Sequence, residues 1–84
     1  MSTLIAEARA QKIWFDEHNM WIMFTDGRQL AVPLAYFPRL HHATREQLEK
    51  VEMSGGGIGF HWDELDEDIH VPSLLLGRYA KQVV

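Results

Sequence analysis

An α+β fold, with an N-terminal three-stranded antiparallel meander, short helices and further short strands, is predicted by three features. Two β-rich runs flank Asp26-Gly27, a dipeptide suited to a tight hairpin turn. A glycine cluster at 55–57 separates two more alternating stretches. Thr44-Arg45-Glu46-Gln47 and Pro72 through Gly77 carry start and stop signals of short helices. At 84 residues, with no internal repeat or linker, the chain reads as one domain over 1–84.

The meander begins at Gln11-Lys12-Ile13-Trp14-Phe15-Asp16, where Ile13 and Phe15 share a face. After Glu17-His18-Asn19, the run 20–25 places Met20, Ile22 and Phe24 on one side. Asp26-Gly27 is expected to form a two-residue type I′ turn, with both residues at positive φ. Arg28 to Val32 returns with Leu30 and Val32 inward, and Pro33 removes a ladder donor. Leu34 to Phe37 fits one helical turn limited by Pro38, and His41-His42 falls in a polar loop. Thr44 with Gln47 reads as a capping box opening a helix to Glu49 or Lys50. Strands follow at 51–53 and 58–62, the latter with Ile58, Phe60 and Trp62 on one face. Ile69 and Val71 mark a last strand, and Pro72 precedes a short helix that Gly77 ends. The expected core is Ile13, Phe15, Ile22, Phe24, Leu30, Val32, Phe60, Leu65, Ile69 and Leu75.

Composition excludes several function classes. The chain has no cysteine, so disulfides and thiolate zinc sites are ruled out. Its 46% hydrophobic content supports a packed core rather than disorder. Residues 1–12 match neither a secretory signal nor a membrane span, so a cytoplasmic protein is expected. A net charge of −4 argues against direct nucleic-acid binding, which needs a basic footprint.

That charge is local. Asp63, Glu64, Asp66, Glu67 and Asp68 supply five of the twelve acids, leaving seven against eight bases. Trp62, Leu65, Ile69 and Val71 punctuate them, as in a folded segment with one charged face. Solvated carboxylates are the plain reading; a recognition face for a basic protein partner is the functional one. Trp14 and Trp21 form a second candidate contact surface, each opposite its strand's apolar face and joined there by Met23. His61, Asp66 and Asp68 have the chemistry of manganese or zinc ligands, but neither a calcium-loop pattern nor a nuclease motif accompanies them. The glycines complete neither a P-loop nor G-x-G-x-x-G, so a tight turn outweighs a phosphate cradle. No serine has a nucleophile-elbow context.

The ordered set Asp26-Gly27-Arg28, Val32-Pro33-Leu34-Ala35-Tyr36-Phe37-Pro38-Arg39-Leu40, Thr44-Arg45-Glu46-Gln47-Leu48-Glu49, Phe60-His61-Trp62, Leu65-Asp66-Glu67-Asp68-Ile69 and Leu74-Leu75-Leu76-Gly77 resembles the bacterial DUF2442 family over roughly residues 8–78. The resemblance implies a compact α+β module without established catalytic residues. Some family members carry a C-terminal helix-turn-helix, and others lie beside a second small protein in toxin–antitoxin-like gene pairs. With the sequence ending at Val84, such a DNA-reading addition is not expected here. A non-enzymatic protein-interaction module of a small bacterial or phage regulatory system is therefore expected, most sharply antitoxin-like, without cofactor or catalytic residue and with a homodimer allowed. The alternatives are a metal-dependent hydrolase built on His61, Asp66 and Asp68, and an acidic phage inhibitor that imitates nucleic acid.

Overall fold

The computed structural model describes residues 8–77. Strands β1 (Ala10–Phe15), β2 (Asn19–Phe24) and β3 (Gln29–Pro33) form an antiparallel sheet in that order. A 3₁₀ turn at Leu34–Tyr36 leads into the short helices α1 (Pro38–His41) and α2 (Arg45–Leu48). A second antiparallel sheet, β4 (Glu52–Ser54), β5 (Gly59–Trp62) and β6 (Glu67–His70), precedes α3 (Val71–Leu75).

Alternation in β2 decides which side of the first sheet is buried. Met20, Ile22 and Phe24 are at most 1% exposed, whereas Trp21 and Met23 are half-exposed on the opposite face. The predicted parity therefore holds. In β1 it is broken by a register shift between Ala10 and Lys12, which turns Ala10 inward and leaves Gln11 and Lys12 in solvent. The core is wider than the expected set: Met20, Leu34, Leu40, Leu48, Trp62, Val71 and Leu74 join Ile22, Phe24, Val32, Phe60 and Ile69. Ile13, Phe15, Leu30, Leu65 and Leu75 pack against that core but are only half-buried. Ile13, Phe15 and Leu30 lie on the edge strands of a three-stranded sheet, with neighbours on one flank only. We expect Ile22→Ala or Phe24→Ala to cost about 2–5 kcal/mol in urea unfolding, from lost transfer energy and the cavity left. A smaller loss than at half-buried Leu30 would show that the core lies elsewhere.

Several boundaries differ from the expectation for local reasons. The β2–β3 turn has three loop residues, because Phe24 N–H reaches Arg28 C=O at 2.8 Å. Gly27 N–H bonds Phe24 C=O at 2.9 Å, and Gly27 alone of the dipeptide takes positive φ, at 94°. This is a four-residue turn closed by a left-handed glycine, not type I′. Asp26 instead accepts from Arg28 through backbone and side chain. Pro38 opens α1 rather than only limiting the preceding turn, and His41 closes that helix with His42 as its cap. The Thr44–Gln47 capping box forms as expected, but α2 stops at Leu48. The following strand starts at Glu52, and Val71 opens α3 instead of extending the strand.

The two sheets meet where the glycine cluster crosses the start of β1. Ala10 N–H bonds Gly57 C=O at 2.8 Å, and Arg9 Nη1 donates to Gly55 C=O at 2.8 Å. A Cβ on Gly57 would lie 2.3 Å from the Ala10 carbonyl oxygen. Close backbone approach, together with positive φ at all three glycines, accounts for the cluster.

Candidate acidic hairpin and aromatic face

The acidic stretch is a hairpin. Trp62 and Glu67 close it in register, leaving Asp63, Glu64, Leu65 and Asp66 as the turn. Asp66 takes φ 54°, a left-handed conformation that aspartate tolerates better than most residues. Its carbonyl oxygen accepts Arg39 Nη1 at 2.5 Å, tying α1 to the turn.

The five acids have different surroundings. Asp63 and Asp68 side chains are 92% and 78% exposed, yet both converge on His61. The Nδ1 of His61 lies 2.6 Å from Asp68 Oδ1, and its Nε2 lies 3.1 Å from Asp63 Oδ1. Hydrogen bonds to Asp63 and then Asp68 push the His61 pKa upward against a smaller opposing effect of desolvation. Glu64 faces Lys50 at 3.6 Å. Glu67 turns inward and is half-buried, so it is not part of an exposed row; partial burial raises its carboxyl pKa despite Arg39 at 3.9 Å. Leu65 is half-buried beneath the turn.

Beside the hairpin opens a groove of about 500 Å³, lined by Gln47, Lys50, Glu52, Trp62, Asp63 and Glu64. Trp62 is buried, its indole N–H donating to Leu48 C=O at 3.0 Å. The groove thus has a floor fixed by a buried ring and a predominantly acidic rim. Asp63 and Glu64 come from the turn that follows β5, whereas Gln47, Lys50 and Glu52 are brought in by α2, β4 and the segment between them, which no local pattern connects to the hairpin.

The tryptophans form a separate surface on the first sheet. Trp14 and Trp21 are register partners with stacked rings, centroids 6.1 Å apart and planes at 8°. Lys12 Nζ sits 5.8 Å from the Trp14 ring centroid. Trp21 Nε1 donates to Asp16 at 2.8 Å, and this bond, followed by those from the Asn19 and His18 backbones, holds the Asp16 carboxyl below its ordinary pKa. Each ring is half-exposed, and Met23 is likewise half-exposed on that face. The hairpin and this aromatic face stand on different sheets.

His61, Asp66 and Asp68 are not brought together as a ligand set. Among the described residues no group of three histidines or carboxylates could hold a metal ion, and His61 is engaged by Asp63 instead of Asp66. The His41 and His42 rings stand 5.1 Å apart, with His41 lining two shallow grooves of about 200 Å³. No helix among the described residues is long and apolar enough to cross a membrane.

A family model described as a protein of unknown function, DUF2442, matches residues 10–80, spanning both sheets and the acidic hairpin. The chain belongs to the DUF2442 family. The crystal structure of a protein of unknown function from Rhodospirillum rubrum shares 32% identity, covering 90% of this chain and 94% of that one at a TM-score of 0.78. The solution structure of an uncharacterised protein from Chromobacterium violaceum shares the fold at a TM-score of 0.72, with 24% identity, 87% of this chain and 69% of that one. No curated protein matches this DUF2442 chain.

Proposed function

We propose that this DUF2442 protein is a non-enzymatic interaction module that captures a basic segment of a protein partner at its acidic hairpin. The observation that carries the reading is the groove rimmed by Glu52, Asp63 and Glu64, with the buried Trp62 fixing its floor. A lysine or arginine side chain suits such a site, its charge among the Glu52, Asp63 and Glu64 carboxylates. Lys50 already faces Glu64 there at 3.6 Å, an internal example of the pairing. Antitoxin-like neutralisation of a basic partner in the cytoplasm is the sharpest form of this proposal.

Charge steering makes a definite expectation. Association should slow as salt rises and the Debye length falls from about 10 Å at 0.1 M to about 3 Å at 1 M. Neutralising Asp63→Asn, Glu64→Gln and Asp68→Asn together should abolish most capture from a lysate of the native host. Fold stability should change by no more than about 1 kcal/mol per exposed pair. Trp14→Ala with Trp21→Ala should leave capture intact. A partner kept by the neutralised protein and lost by the tryptophan variant would move the interface to the first sheet. Capture of a second copy of the chain would make the hairpin a self-association surface instead.

A further inference from the structure

His61 holds two carboxylates at once, and proton counting limits when it can do so. A carboxylate only accepts hydrogen bonds, and a neutral imidazole carries a single N–H, so bonding Asp68 and Asp63 together requires the imidazolium. The surroundings are strongly biased toward negative charge. On the middle strand β5, His61 has Glu52 opposite it on β4 and Asp68 opposite it on β6. The turn adds Asp63 and Glu64. Lys50 faces Glu64, and His70 on β6 bonds Ser73 Oγ at 2.9 Å.

We propose that His61 is a proton-operated latch that sets how much negative charge the hairpin offers to a basic partner. Protonated, it ties Asp63 in the turn to Asp68 in β6. On losing its proton to solvent it keeps one N–H and one carboxylate. The contact that opens is to Asp63, since it is the longer at 3.1 Å against 2.6 Å and its side chain is 92% exposed. Asp63 then swings free at the groove rim, and the face gains one net negative charge. Both hydrogen bonds favour the charged ring, so the change falls above the ordinary histidine value of about 6.5. The latch rests on the reading of this face as a capture surface, but its protonation can be followed without a partner.

The test pairs an NMR titration of the His61 ring and the Asp63 carboxyl carbon with binding of N-acetylated oligolysine, whose charge changes little between about pH 6 and 8. Asp63→Asn and Asp68→Asn should each lower the His61 midpoint. Wild type should bind oligolysine about two- to fivefold more tightly above that midpoint than below it, the range of one exposed ion pair. His61→Gln should flatten this dependence. A midpoint unmoved by Asp63→Asn, or a pH step retained in His61→Gln, overturns the latch. A midpoint that moves as stated, with no oligolysine binding at any pH, supports the latch geometry and overturns the capture reading alone.

Discussion

Replacing Gly57 with alanine is expected to cost about 2–5 kcal/mol, a large part of the margin of so small a domain. Two effects add. Gly57 sits at φ +102°, where a side chain is strained, and its Cβ would meet Ala10 backbone atoms at 2.3 and 2.8 Å. Backbone cannot rotate away as a side chain can, so Ala10 must withdraw. Its bond to Gly57 C=O goes with it, and the junction between the sheets is weakened. Gly27 separates the two effects, having φ +94° but nothing within 4 Å of where a methyl would sit. Gly27→Ala should therefore show the conformational strain alone, about 1–2 kcal/mol. Urea midpoints measured on both variants decide the matter, and equal losses would remove the packing role assigned to Gly57.

The second large effect is expected at Trp62. Truncation to alanine should cost about 3–5 kcal/mol, since the ring is 1% exposed and meets Phe15 and Phe60 edge-on. Trp62→Phe isolates the indole N–H. Leu48 C=O also accepts Val51 N–H at 3.3 Å, so it is not orphaned when the indole is removed. The bond itself then contributes about 0.5–1.5 kcal/mol, with a further loss from the smaller ring. Thermal melts of the two variants should keep that order. A phenylalanine variant as damaged as the alanine one would mean that the Leu48 contact, not ring packing, holds α2 in place.

How much of this was legible depended on range along the chain. The β2 parity, the capping box at Thr44 and the left-handed Gly77 are local, and each follows from residues within one element. The β2–β3 turn was recognisable as a turn, but Asp26-Gly27 is compatible with more than one loop length; Thr25 joined the loop when Phe24 paired with Arg28. Leu40 and Leu48 went unassigned to the core because helices of four residues are too short to display a periodic apolar face. The acidic stretch was visible, but not its wiring. Arg39 reaches Asp66 across 27 positions, and Asp68 faces His61 only once β5 and β6 pair. Glu67 turned inward because strand alternation places it on the face of Ile69, opposite the buried Trp62, a parity that the charge of the stretch obscured.

The seam at Gly57 also has a kinetic meaning. Every strand pairing joins consecutive strands, so each sheet can close through short loops with little entropy to overcome. The chain-spanning closure is concentrated elsewhere, in contacts such as Arg9 to Gly55, 46 residues apart. Two halves whose strands pair only with their chain neighbours thus become one cooperative unit through long-range contacts. The glycine-lined seam and the packing of Phe15 on Trp62 are among them, and this topology would close them after the sheets themselves.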